Sequence, residues 1–309
     1  MPIRKSIHGR RTGMRRAAAL TAAGLVVFLL STSLHLSAWA SDGLFPVKVH
    51  GKVGYIDKTG KIVIKPQFDF GLDFHEGLAE IGIADRYGFI DRKGSVVIKA
   101  EFSGTGRFSE GLAAIRFGAD DKWGYIDKTG KLVIQPQFSL AANFSEGLAV
   151  ARLGENDPVG FINQSGNFVI TPQFSDGTSF SEGFASINTE DGWGFIDKTG
   201  KMVIQPQFDS ALGFSEGLAP IEVDGRYGYI NKKAKMIIKP RFEQADIFSE
   251  GLALVWIDRK CYVNRNGKVV IKPPVDSADR FSGGLAQVSI DGKNGYINRK
   301  GKYVWKPTQ

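Results

Sequence analysis

Residues 180–213 read FSEGFASINTEDGWGFIDKTGKMVIQPQFDSALG, and at Phe214 the chain begins again with FSEG. This unit of about 34 residues is written eight times between Gly43 and the C-terminus. Even repetition at this length marks a solenoid, a propeller or a linear array, in which each unit hides an apolar face against the next. Two glycine series fix the register. One precedes the Leu-Ala-like segment at Gly43, Gly77, Gly111, Gly147, Gly183, Gly217, Gly251 and Gly284; the other follows the Trp-like position at Gly54, Gly88, Gly124, Gly160, Gly194, Gly228 and Gly295, with Cys261 in its place in unit seven. From the second series to the next member of the first the distance is always 23 residues, whereas the reverse step is 10, 11 or 13 residues. Length variation is confined to one turn, so the other connections each have one geometry.

Each unit reads as three short strands. Strand A is the segment like Leu218 to Val223, strand B the one like Tyr227 to Asn231, and strand C the one like Met202 to Phe208. β-Branched and aromatic residues fill them, and Gly, Asp and Asn separate them. Asp-Lys-Thr-Gly-Lys between B and C (57–61, 127–131, 197–201) predicts a hairpin turn, with Asp bonding the turn backbone and Gly at positive φ. Proline, which cannot donate to a ladder, occurs in A (Pro46, Pro220) and C (Pro66, Pro136, Pro172, Pro206, Pro240, Pro273), which predicts that B is central and A and C are edges. Apolar residues face both ways: Ile62, Ile64 and Phe68 on one side of strand C and Val63 on the other, so units must cover both faces of each sheet. The Phe pairs Phe68/Phe74, Phe138/Phe144 and Phe208/Phe214 are read as the plugs between units.

The expected fold is therefore all-β: eight repeats, each a three-stranded antiparallel meander, stacked face to face as a propeller-like toroid. An open β-superhelical array is the alternative. Open arrays need polar caps, and neither unit one (Val47, Val49, Tyr55) nor unit eight (Leu285, Val288, Tyr296) has one, which favours closure.

The first forty residues differ in kind. Arg4, Lys5, Arg10, Arg11, Arg15 and Arg16 precede an apolar stretch from Ala17 to Leu30, and Ala38-Trp39-Ala40 supplies a small-residue cleavage site. This is the layout of a signal peptide over residues 1–40, with a single repeat domain over 41–309. Export to the periplasm or the extracellular space follows, with an uncleaved anchor in the inner membrane as the alternative and no stable membrane insertion once the leader is removed. The full chain carries 40 Lys and Arg against 32 Asp and Glu; without the six basic leader residues 34 remain against 32, a net of +2 instead of +8. That balance, with lysines spread singly over the units, gives no footprint for nucleic acid. Cys261, the single cysteine, has no internal partner.

Lys122-Trp123-Gly124-Tyr125-Ile126-Asp127 and Gly192-Trp193-Gly194-Phe195-Ile196-Asp197, each followed by Lys-Thr-Gly-Lys and preceded by Phe-Ser-Glu-Gly, resemble the WG-repeat family of bacterial proteins. The resemblance covers residues 43–309; six units depart at the Trp, with Val53, Tyr87, Val159, Tyr227, Lys260 and Asn294 there. It implies a β-rich repeat scaffold, often exported, with no shared activity and no site residues to carry over.

Repetition also sorts residues by role. Glu76, Glu110, Glu146, Glu182, Glu216 and Glu250, and Asp57, Asp91, Asp127 and Asp197, recur too often to be an acid pair, and are read as turn acceptors. His50 and His75 stand where other units place Gly, Asp or Ser, outside any nucleophile-elbow context. No cofactor fingerprint or metal-ligand spacing is present, and the expectation is a non-catalytic scaffold. It binds a protein, or in the alternative a cell-envelope glycan such as peptidoglycan, through the rim of A–B turns; a propeller-type hydrolase is the least supported reading. Trp123 and Trp193 read as core positions. Trp256 and Trp305 break the pattern toward hydrophobicity and are candidate ligand-binding residues, as are the acidic Asp120, Asp121, Glu155 and Asp157 in the lengthened A–B turns of units three and four.

Overall fold

The structure is a computed structural model that describes residues 43–118 and 121–306; the expected leader, residues 1–40, and Asp120 lie outside them. Strands and turns make up the whole of it, in eight small antiparallel sheets arranged as the blades of a ring. Blade 1 is strands A, B and C at Leu44–Val49, Lys52–Asp57 and Ile62–Phe68. Blade 6 shows the pattern of the others: Ser210–Ala211, then A, B and C at Leu218–Val223, Arg226–Asn231 and Met236–Phe242.

The meander is present in every blade, with B central, but seven blades carry a fourth strand on the free side of A. It is mostly two residues long (Gly104–Thr105, Asp176–Gly177, Ser277–Ala278) and comes from the crossover between C and the next A. In those seven blades strand A is thus not an edge, whereas in blade 1 it is one. Pro220 is tolerated there because its carbonyl accepts the Leu212 N–H on the side where this short strand ends, so the missing donor leaves no ladder bond unmade. The short strand is innermost: Asp73, within it in blade 2, lies in electrostatic range of Asp279 and Arg280 of blade 8, as residues around the ring's axis do.

Strand C is outermost, and there the blades diverge. Ile64 and Phe68 remain buried, yet Ile62 and Val63 are both exposed, as are Val97, Val133, Val169 and Ile237. Both faces are covered near the axis only. Lys and Pro in the second half of C, with the bulge there, guard these open edges against pairing with other chains.

The core is a set of interfaces, each made by two neighbouring blades. Tyr55, Ile64 and Phe68 of blade 1 pack with Phe74, Ala79 and Ile81 of blade 2, and the pattern repeats round to Tyr262 and Ile271 of blade 7 with Phe281 and Val288 of blade 8. The Phe of Phe-Ser-Glu-Gly is the plug, seated on the strand B aromatic of the preceding blade: Tyr55 to Phe74 at 5.0 Å, Phe89 to Phe108 at 4.7 Å, Tyr125 to Phe144 at 4.9 Å. Blade 8 closes on blade 1 through Phe45, Val47, Ile56, Leu285 and Tyr296. There Phe45 meets Tyr296 at 5.5 Å, and the Tyr296 hydroxyl donates to the Pro46 carbonyl at 2.8 Å. Among the described residues the ring closes by side-chain packing, with no β ladder joining blade 8 to blade 1.

Candidate functional site

The repeated polar residues are consumed by the scaffold. In Asp-Lys-Thr-Gly-Lys the Asp127 carboxylate accepts from the Thr129 N–H and hydroxyl and from the Lys131 N–H. These bonds hold it below the usual carboxylate range. The glutamates bond forward: Glu146 accepts from the Gly183 N–H, Glu182 from Gly217, Glu216 from Gly251 and Glu250 from Gly284. Each is a staple to the next blade's turn, not to its own. Burial works against ionisation of Glu76, but Lys128 and the Gly111 and Glu110 N–H groups keep its carboxyl below the usual range. The serines do the same: Ser109 donates to the Phe144 carbonyl at 2.6 Å and Ser145 to that of Phe180 at 2.7 Å.

Positions free for function are those that vary, and the fold gathers them in two places. One is the face carrying the A–B turns and the C-to-inner crossovers. Exposed Phe70 and Ile83 of blade 2, Phe117 of blade 3 and Leu153 of blade 4 form an arc here, 38–44 % accessible. Interblade bonds join it: Arg86 donates to the Phe117 carbonyl at 2.7 Å and Lys122 to that of Leu153 at 2.9 Å. The equivalent end of strand A is Thr189 in blade 5, half-buried Val223 in blade 6, exposed Ile257 in blade 7 and half-buried Ile290 in blade 8, so the position is apolar in most blades and its side chains are most exposed in blades 2, 3, 4 and 7.

The candidate residues distribute as follows. Trp256 ends strand A of blade 7, 37 % exposed, beside exposed Ile257. Trp305 is half-buried in strand C of blade 8 and packs on the cluster that seals the ring. The two therefore belong to different blades, and only Trp305 packs at a blade interface cluster. Asp121 and Asp157 close their own turns by accepting the Gly118 and Gly154 N–H groups at 2.6 and 2.8 Å. The Glu155 carbonyl, not its carboxylate, takes the Arg152 guanidinium at 3.2 Å. Trp123 and Trp193 are partly buried against the core, Trp123 beneath the Arg116 guanidinium at 5.0 Å.

The second place is the axis, which sequence reading missed. The residue before each plug Phe is Asp73, Arg107, Asn143, Ser179, Gly213, Ile247 or Arg280 in blades 2 to 8. Arg107 and His75 are buried and Asp73 half-buried. Burial, reinforced by Asp279 and opposed by Arg107 and Arg280, raises the Asp73 carboxyl to about 6. Burial and then Arg280 lower the Arg107 guanidinium to about 9, against Asp73. Burial and then Arg107 lower the His75 imidazole to about 3, so it is neutral at physiological pH. Next to this group, Glu80 of blade 2 is 8 % exposed where other blades place residues such as Ala114 and Val150, and burial lifts its carboxyl to about 7. The sequence signal was available: a position filled by six residue types in blades 2 to 8, next to a Phe that is constant in them.

Comparison with known proteins agrees with this architecture. WG-containing repeats match at residues 54–83, 87–119, 123–156, 160–192, 193–227, 227–261 and 262–293. No curated protein matches the chain. Among solved structures it is similar to dihydro-heme d1 dehydrogenase NirN in complex with DHE (13% identity, TM-score 0.56, covering 88% of this chain and 74% of that one). It is also similar to a eukaryotic initiation factor (12%, TM-score 0.51, 87% and 95%) and to Hsv2p of Kluyveromyces lactis (9%, TM-score 0.51, 76% and 94%). At such identities the likeness is one of fold alone. The chain belongs to the WG-containing repeat family and folds as an eight-bladed β-propeller.

Proposed function

We propose that this chain is an exported, non-catalytic scaffold that docks a protein partner on the face of its A–B turns. The observation that carries the reading is the arc of Phe70, Ile83, Phe117 and Leu153 on three consecutive blades. Apolar side chains held in a contiguous exposed patch on a rigid scaffold suit burial against an apolar segment of another protein. Basic Arg86 and Lys122 and acidic Asp121 and Asp157 border the arc, so the partner's rim would be of mixed charge. The polar groups that recur in every blade serve turns and staples, which supports a binding role over catalysis.

The test compares capture from an envelope extract by the purified chain and by the double variant Phe117→Asp, Leu153→Asp, with Val97→Asp on the outer circumference as control. Loss of a protein partner in the double variant and its retention by the control support the reading. Retention on cell-wall glycan, abolished by Trp256→Ala and untouched by the double variant, would replace it with glycan binding.

A further inference from the structure

Strand A begins and strand B ends on the face opposite the A–B turns, so each blade gives that face a Ser-Glu-Gly-type turn and a B–C turn. In blades 6, 7, 8 and 1 these turns (215–217, 231–235, 249–251, 264–268, 282–284, 298–302, 41–43 and 57–61) hold ten basic residues against four acidic, a net of +6. Asp42, outside the described residues, is counted among the four. In blades 2 to 5 the corresponding turns hold six basic against seven acidic, a net of −1. Downstream of residue 40 the whole chain has a net of +2, so everything outside this half-face sums to −4. An even total thus conceals a dipolar molecule. The four basic blades are neighbours because the ring closes between blade 8 and blade 1.

The basic half is built without disturbing the turns. In blades 6 and 8 the turn acceptor is Asn231 or Asn298 instead of aspartate. Asn231 accepts from the Lys233 and Lys235 N–H groups at 3.0 Å, and Asn298 from those of Lys300 and Lys302 at 3.0 and 3.1 Å, as Asp127 does from Thr129 and Lys131. The turn needs an oxygen and not a charge, so the exchange removes negative charge and keeps the geometry. Where Thr129 and Thr199 add a hydroxyl bond to their aspartates, blades 6 and 8 place Lys233 and Lys300. Glu182 and Glu216 hold Lys232 and Arg265 at 3.1 and 3.5 Å. Among the described residues no carboxylate pairs with Lys233, Lys235, Lys268, Lys300 or Lys302, and all five are exposed. Ammonium groups on turns at equivalent positions of consecutive blades make a broad surface and no groove. Such an array suits a plane of phosphate headgroups. A nucleic-acid strand is held on aromatic platforms, and these turns contain no aromatic residue. We propose that the B–C turns of blades 6, 7, 8 and 1 adsorb the ring to an anionic lipid surface, without insertion. The A–B turns, at the other end of the same strands, then point away from the lipid, and the arc used for a protein partner shares no residue with this face.

The experiment is sedimentation of the purified exported chain with vesicles of phosphatidylcholine alone and of phosphatidylcholine and phosphatidylglycerol in equal parts. Binding to the anionic vesicles and not to the neutral ones is expected, falling steeply as salt is raised. Lys233→Gln with Lys300→Gln should lower the partition coefficient about tenfold or more. Lys131→Gln with Lys201→Gln removes the same charge from the near-neutral half and should lower it less than about threefold. All four side chains are exposed, and melting of each variant verifies folding. Equal loss in the two double variants, equal binding to both kinds of vesicle, or no binding to either overturns the proposal. Retention on a soluble acidic polysaccharide without vesicle binding overturns it as well, and replaces the lipid with a polymer.

Discussion

A single missing methyl group decides how strand C runs. Opposite Gly124 the ladder shifts register between Trp123 paired with Phe138 and Tyr125 paired with Ile134, so three residues of C bulge over one glycine. A Cβ there would stand 2.5 Å from the Ile134 carbonyl oxygen, and at Gly194 2.6 Å from that of Ile204. Cys261 is the natural exception, and in its blade strand C stops at Ile271, before the bulge. Gly124→Ala should cost about 3 kcal/mol or more, because backbone must move, measured by urea unfolding. The glycine series was plain in the sequence; its cause was not, since a bulge is a relation between two strands. Glu80 offers a second prediction at this scale. Its folded carboxyl titrates near 7 and its unfolded one near 4.5, so the folded state holds the proton longer and stability falls as pH rises from 4.5 through 7. At pH 8 that cost is about 3 kcal/mol at most. Glu80→Gln should be more stable than wild type at pH 8 and nearly equal to it at pH 4.5; equal stability at both pH values would contradict the assignment.

At the scale of elements, neighbouring blades are joined by plugs and staples more than by ladders. Strand B tyrosines reach across each interface: Tyr125 donates to the Ala142 carbonyl at 2.6 Å, Tyr229 to Asp246 at 2.7 Å and Tyr262 to Asp279 at 2.6 Å. Phe89, Phe161 and Phe195 stand at the same position in other blades and make the ring contact alone. The hydroxyl is therefore an addition to a packed ring, and Tyr229→Phe should cost only about 1 kcal/mol in thermal or urea unfolding. A loss of more than about 3 kcal/mol would mean that the freed carbonyl finds no water and is left unpaired. Strands A, B and C, their turns and the plug phenylalanines were legible because period-two alternation and Gly, Asp and Pro mark them. The fourth strand was not: two residues such as Ser210 and Ala211 show no period, and only the neighbouring strand A makes them a strand. Nor could alternation tell Ile62 from Ile64, since what exposes Ile62 is the widening gap between blades at the ring's periphery.

At the scale of the molecule, closure gives the chain both a face and an axis. Eight similar units in an open array would put Arg280 of unit eight far from Arg107 of unit three; in the ring they interact. The axial group was therefore invisible to a reading that left closure undecided, although each of its residues could be named as unit-specific. The seam depends on the Phe45–Tyr296 contact and the apolar cluster around it, with Gly283 where the other blades carry a stapling glutamate or, in unit one, Asp42. Spin labels can measure closure directly. Turn residues Thr59 and Lys300 occupy the same place in blades 1 and 8 as Thr129 and Ser165 do in blades 3 and 4, and Cys261 is buried away from the label. Pulsed electron resonance on Thr59→Cys with Lys300→Cys should give the same distance as the neighbouring-blade pair Thr129→Cys with Ser165→Cys. A seam distance several times longer than the neighbour distance would show an open array and contradict the ring.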